Sequence, residues 1–142
     1  NRLKSISPKI GALINLKTLH LSKNTLKKLP DEIGALLNLE VLDLHGNQLT
    51  DLPKSLSNLK NLKKLILGNP FHGGNGFTFL PSPVGQLKNL EQLILSGNKI
   101  KTVIKEISPL KKLKMLWLNK NFSSEEIKLI KKKFPKIMIM QL

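Results

Sequence analysis

The chain has 142 residues, 40% of them hydrophobic, which suits one domain with a continuous core. It has no Cys, so disulfides and thiolate metal sites are excluded, and no apolar run approaches the ~18 residues of a membrane-crossing helix. A net charge of +15 makes polyanions a class of partner to weigh.

Residues 1–15 read as the tail of a repeating unit, with Asn1, Leu3, Ile6, Ile10 and Leu13 at spacings that recur downstream. The strand of that unit is missing, so a truncated repeat with an open core is expected, cut there or continued upstream in the natural protein. The first full unit, 16–38, defines the pattern. Leu16 fills slot 1, Leu19 and Leu21 slots 4 and 6, and Asn24 slot 9. Leu26, Leu29, Pro30, Ile33 and Leu36 fill slots 11, 14, 15, 18 and 21. Unit 39–61 repeats the series 23 residues on, from Leu39, Leu42, Leu44 and Asn47 to Leu59.

Unit 62–89 opens with Leu62, Leu65 and Leu67 but runs to 28 residues. Its phase returns at Asn75, Phe77, Leu80, Pro81, Val84 and Leu87, so the extra residues lie within NPFHGGNG, 69–76. Gly and Pro mark that stretch as an irregular projecting loop. Unit 90–112 is regular, and the last segment, 113–142, begins with Leu113, Leu116, Leu118 and Asn121. Ser123 and Glu126 then have capping-box spacing. Ile127, Ile130 and Phe134 follow at helical spacing, with lysines in the last turn and Pro135 as a stop. Ile137-Met138-Ile139-Met140 reads as a short final strand.

Period-two alternation puts slots 4 and 6 on one face of a strand and slots 3, 5 and 7 on the other. One such strand cannot bury its Leu face alone. Parallel neighbours stacked ~4.8 Å apart can, provided a crossover segment returns the chain each time. The remainder of a 23-residue unit is too short for a long helix, so turns and 3₁₀ pieces are expected there. Asn in slot 9, at Asn24, Asn47, Asn98 and Asn121, can donate and accept where the chain bends inward.

The series L-x-x-L-x-L-x-x-N-x-L resembles the leucine-rich-repeat motif over essentially the whole chain. LPDEIGALLNL at 29–39 is similar to the short-repeat subtype with I-G-x-L-x-N-L. The Lys/Ile/Asn-rich ending, NKNFSSEEIKLIKKKFPKIMIMQL, is similar to the leucine-rich-repeat proteins of pathogenic spirochaetes such as Leptospira. These resemblances imply an α/β solenoid of one domain, 1–142. Its curved parallel β-sheet would form the concave side, loops and 3₁₀ turns the convex side, and a helix the C-terminal cap. The closer resemblance implies a secreted or surface-displayed bacterial protein that binds host molecules. Fold alone fixes no ligand.

No enzymatic constellation is found, and no cofactor is expected. The Gly-rich loop lacks the Lys-Ser/Thr pair of a phosphate cradle. His20 and Asp43 in slot 5 and His45 in slot 7 all point outward on the concave side. Two imidazoles and a carboxylate could ligate a divalent ion, but no recognised motif sets their spacing, and a solvated polar face with no metal is expected. Basic clusters stand at Lys17, Lys23, Lys27 and Lys28, at Lys60, Lys63 and Lys64, at Lys111, Lys112 and Lys114, and from Lys128 to Lys136. Sulfated glycans or other polyanions are one reading of these, and a plain solvated surface is another. Arg2 is the single Arg, which argues against specific nucleic-acid recognition.

Slot 5 gives the sharpest signal: His20, Asp43, Ile66, Ile94, Trp117 turn from polar to apolar along the stack. Met115 flanks Trp117, and Phe71 and His72 of the insertion are expected at the patch edge. Mutual packing of neighbouring side chains is the plain explanation. The functional one is a protein partner held on the concave face, since exposed contiguous apolar surface and Trp mark interaction sites. A sulfated-glycan binder and a cytoplasmic scaffold are the competing expectations.

Overall fold

A computed structural model describes residues 1–141, in which six short parallel strands form one sheet in strict chain order. They are β1 (Thr18–His20), β2 (Val41–Asp43), β3 (Lys64–Ile66), β4 (Gln92–Ile94), β5 (Met115–Leu118) and β6 (Met138–Gln141). Equivalent slots pair throughout, so Leu19, Leu42, Leu65, Leu93, Leu116 and Ile139 form one inward row. The middle four of these have no exposed surface. This is the curved solenoid that the repeat predicts, including the 28-residue unit, whose strand keeps register with both neighbours.

On the convex side 3₁₀ turns at Pro8–Ala12, Asp31–Ala35, Lys54–Asn58 and Ser82–Gln86 return the chain. Their geometry follows from the spacing of the apolar slots. Slots 18 and 21 and the next slot 1 are three residues apart, and in a 3₁₀ helix residues i and i+3 eclipse. Thus Ile33 N donates to Pro30 O (3.1 Å), Leu36 N to Ile33 O (3.2 Å) and Leu39 N to Leu36 O (2.9 Å). All three side chains are fully buried on one face. The fifth return instead closes a single α-helical turn, α1 (Ile104–Ile107).

Two ladders of asparagine amides tie the units together. In the first, Asn47 Nδ2 donates to Leu21 O (2.8 Å) and Leu44 O (3.0 Å), while its Oδ1 accepts from Leu26 N (3.0 Å). Asn75 repeats the scheme one unit on; Asn98 repeats its donor half, while its Oδ1 accepts from Asn75 N (2.9 Å). In the second, the Asn of the N-L pair opening each unit reaches back: Asn38 Nδ2 to Ile14 O (2.8 Å), Asn61 Nδ2 to Leu37 O (2.9 Å) and Asn89 Nδ2 to Lys60 O (2.7 Å). Before Asn24, Asn47 and Asn98 the backbone takes a left-handed conformation. Gly46 (φ 66°) and Gly97 (φ 82°) supply it, and Lys23 adopts it at φ 55°.

The two ends differ from the interior. At the N-terminal end Leu3, Leu13 and Ile14 are about half exposed, and Leu16 and Leu19 are only partly buried. At the other end α2 (Ser124–Lys133) lies over the last layer with Ile130 fully buried and Phe134 nearly so. Two sequence expectations are corrected here. Asn121 is exposed and off the ladder; Asn119 instead ties the end of β5 to the preceding unit, accepting from Gly97 N (2.5 Å) and donating to Asn98 O.

The capping box is also only half formed. Ser123 Oγ accepts from Glu126 N (3.1 Å), but the Glu126 carboxylate does not fold back on Ser123. It is buried, and its Oε1 accepts from Val103 N (2.7 Å), Ile104 N (2.9 Å) and Thr102 Oγ1 (2.9 Å). Glu126 therefore caps α1 from 22–24 residues away and fastens α2 to the repeat beneath it.

Candidate functional site

The outward columns of the sheet carry the candidate site. Strand register puts His20, Asp43, Ile66, Ile94, Trp117 and Met140 in one row and Thr18, Val41, Lys64, Gln92, Met115 and Met138 in the row beside it. The first row is polar at its N-terminal end and apolar from Ile66 onward.

The polar end closes on itself. Asp43 faces outward but is only 7% exposed, because an imidazole covers it on each side. His45 Nδ1 lies 2.8 Å from Asp43 Oδ1, and His20 Nδ1 lies 3.4 Å from Oδ2. The His45 backbone amide also donates to Oδ1 (3.2 Å). Expecting all three to stand in solvent was therefore wrong for Asp43 and His45; His20 alone is well exposed, at 63% of its side chain. Among the described residues no group of three His, Asp or Glu side chains has metal-holding geometry.

The apolar end opens into a shallow cleft of about 180 Å³. Ile66, Ile94, Met115 and Trp117 form its apolar wall, and Lys64 and Gln92 line the edge nearer the strand starts. Ile94 keeps 8% exposure between its neighbours, whereas Ile66, Met115 and Trp117 are half-buried. Trp117 Nε1 is buried with no acceptor among the described residues. Buried indole N–H groups ordinarily have one.

The insertion contributes Asn69 and Pro70 to the cleft. Phe71 and His72, expected at the edge, do not line it; Phe71 stands 79% exposed at the loop tip and His72 is exposed beside it. Asn69 Oδ1 holds that tip by accepting from Phe71 N (2.9 Å) and His72 N (3.1 Å). The base of the loop is anchored on the next repeat, where Gly74 N donates to Gly97 O (3.1 Å). A Cβ on Gly97 would fall 2.5 Å from Gly74 N, so close backbone approach also requires glycine there.

The sequence reading missed Met138 and Met140, which extend both outward rows and are 55% and 36% exposed. The final strand had been recognised; placing it in register with β5 would have found them.

Beside the concave face the residues before each strand alternate in charge: Lys17, Glu40, Lys63, Glu91, Lys114. Lys63 Nζ lies 2.7 Å from Glu40 Oε2, and Lys114 Nζ lies 2.8 Å from Glu91 Oε2. The hydrogen bond from Lys63, reinforced by its charge, holds the Glu40 carboxyl below its usual range, and Lys114 does the same for Glu91. These exposed pairs align neighbouring strands and contribute little to stability.

The sequence matches the family model of the leucine-rich repeat region over residues 3–138. No curated protein matches it. Among solved structures, the leucine-rich-repeat ectodomain of the plant membrane receptor kinase GASSHO1/SCHENGEN3 from Arabidopsis thaliana, in complex with CASPARIAN STRIP INTEGRITY FACTOR 2, is 29% identical. Its TM-score is 0.71, over 98% of this chain and 17% of that one. The plant peptide hormone receptor RGFR1, in complex with RGF2, is 27% identical at TM-score 0.70, over 97% of this chain and 23% of that one. A leucine-rich-repeat protein of Leptospira interrogans is 29% identical at TM-score 0.47, over 98% of this chain and 58% of that one. The chain thus spans less than two thirds of each of these three proteins. No described helix is long and apolar enough to cross a membrane.

Proposed function

This chain belongs to the leucine-rich-repeat family, and we propose that it is a non-enzymatic binding module whose concave face holds a protein or peptide partner. One observation carries the proposal: the outward row Ile66, Ile94, Trp117 is apolar where a solvated strand face would be polar, and it lines a cleft. The unpaired Trp117 Nε1 supports it, because pure packing would have been served by an aliphatic side chain without leaving a donor unmet. The two plant receptors of similar fold were solved in complex with CASPARIAN STRIP INTEGRITY FACTOR 2 and RGF2, which favours the same class of partner. In this reading Ile66, Ile94, Met115 and Trp117 are the anchors. Phe71 and His72 meet the partner from the loop tip, and His20, Asp43 and His45 form the polar rim.

The finer reading is a secreted or cell-surface bacterial protein that binds host molecules, and it rests on the leptospiral character of the C-terminal sequence. Protease shaving of intact cells tests the location, with loss of the protein expected.

For the concave site, the partner is captured from host-surface protein on immobilised chain, and isotherms and melting curves are then taken for two variants. Trp117→Ala should lose at least ~2 kcal/mol of affinity, as a hot spot does, with little change in melting. Leu116→Ala, fully buried one residue earlier, should lose roughly 2–5 kcal/mol of stability by opening a cavity. Normal binding and early melting of Trp117→Ala would assign the indole to packing and end the proposal.

A further inference from the structure

We propose that a basic groove on the flank of the last two repeats, separate from the concave face, binds a linear sulfated glycan. The groove has a volume of about 730 Å³. Lys111, Lys112 and Lys114, on the turn into β5, form one wall, and Lys133, at the end of α2, with Lys136, just beyond it, forms the other. A second hollow of about 530 Å³ shares Lys111 and Lys112 and adds Lys88, so the basic lining is continuous over six lysines. Glu91 is the one carboxylate lining either hollow among the described residues, and Lys114 occupies it at 2.8 Å. Lys112 Nζ donates to Asn89 Oδ1 (2.7 Å). Lys111, Lys133 and Lys136 have no carboxylate within ion-pair distance among the described residues.

The bland account of lysines beside a helix end is that they complement its dipole. It covers Lys133 but not Lys111, which belongs to the preceding repeat, nor Lys136, which lies past the helix and Pro135. Position in the repeat sharpens the point. Earlier units carry Asn38, Asn61 and Asn89 where this one carries Lys112, so a cation takes the place of a structural amide at the unit where the groove forms.

Shape and residue type select the ligand. A bilayer surface cannot enter a groove whose apolar floor, Leu113 and Phe134, is 5% and 9% exposed. A nucleic acid would find no Arg, since Arg2 lies in the truncated first repeat, and no exposed ring for base stacking. A sulfated polysaccharide needs neither: its sulfates meet ammonium point charges along a line, and its sugar C–H faces lie against the accessible Pro135 and half-buried Ile137.

Heparin is the probe, titrated at ~0.15 M salt, where long-range charge attraction is screened beyond ~8 Å. The variant Lys111→Glu/Lys133→Glu/Lys136→Glu is compared with Lys9→Glu/Lys27→Glu/Lys54→Glu, which changes net charge equally on exposed residues elsewhere. The groove variant should lose at least ~10-fold in affinity and the control less than ~3-fold, since contact charges matter more than screened ones. Equal losses would mean that heparin reads only net charge, and the site would be abandoned. Circular dichroism melts verify folding, and Lys111→Gln/Lys133→Gln/Lys136→Gln, with a smaller loss expected, serves if the reversed variant is unfolded. Trp117→Ala should leave heparin affinity unchanged; a loss there would refute the separation of the two sites. Single-stranded DNA or anionic phosphatidylserine vesicles binding as tightly as heparin would overturn the glycan assignment.

Discussion

Replacing Glu126 by Ala is expected to be the most destabilising change of a polar side chain in the C-terminal cap. The carboxylate Oε1 is the acceptor for both Val103 N and Ile104 N, the two amides that open α1. Val103 is fully buried, so its amide has no water to turn to, whereas the half-buried Ile104 amide can recover part of the loss. A buried donor left unmet costs ~1–3 kcal/mol, which puts the double loss at roughly 3–4 kcal/mol after that recovery. For a chain of 142 residues this corresponds to a fall in melting temperature of about 10 °C. Glu126→Gln keeps an acceptor oxygen in place and should cost only about 1 kcal/mol, the charge-assisted part of the bonds. Glu125→Ala, exposed one residue earlier, should stay within ~0.5 kcal/mol. Thermal and urea unfolding of the three variants give the comparison. Equal stabilities for Glu126→Ala and Glu125→Ala would show that the cap is not fastened through this carboxylate.

Lys23→Gly should stabilise the protein by about 0.5 kcal/mol in urea titration, since left-handed strain of ~1–2 kcal/mol is relieved at an entropic cost of ~0.5–1. A destabilised variant would mean that the Lys23 side chain contributes more than its backbone costs. In hydrogen exchange, the amides of Ile10 and Leu13 should exchange faster than those of Leu42 and Leu65, because the layer they belong to is open on one side. Uniform protection along the chain would contradict that gradient.

Most of the fold was legible because it is written in one-dimensional spacing. Leu in slots 4 and 6 announces the strand, and apolar residues three apart announce the 3₁₀ return; both follow from local geometry. What was not legible required knowing which distant groups meet. Glu126 has the right distance from Ser123 for a capping box, yet its side chain is claimed by amides 22–23 residues earlier, a competition that local spacing cannot reveal. Asn121 holds slot 9 by count, but it is exposed, and Asn119 instead bonds back to Gly97 and Asn98. The Asn of the opening N-L pair was visible in the motif, but its role was not, because its acceptor lies in the preceding unit. On the concave face the change from polar to apolar could be read slot by slot. That Asp43 would be covered by His20 and His45, and that Asn69 and Pro70 rather than Phe71 would line the cleft, depends on rotamers and loop path.

The direction of the asparagine rungs has a consequence for how the molecule comes apart. Each amide draws its partners from its own unit and from the one before, so a unit's inner carbonyls and amides are fully met only while its C-terminal neighbour is folded. Unfolding therefore proceeds as a zipper with nearest-neighbour coupling, in which each lost unit loosens the one preceding it. A lesion at Asn75, where the lengthened unit meets its neighbours on both sides, would uncouple the zipper at its middle and leave two shorter stacks that melt separately.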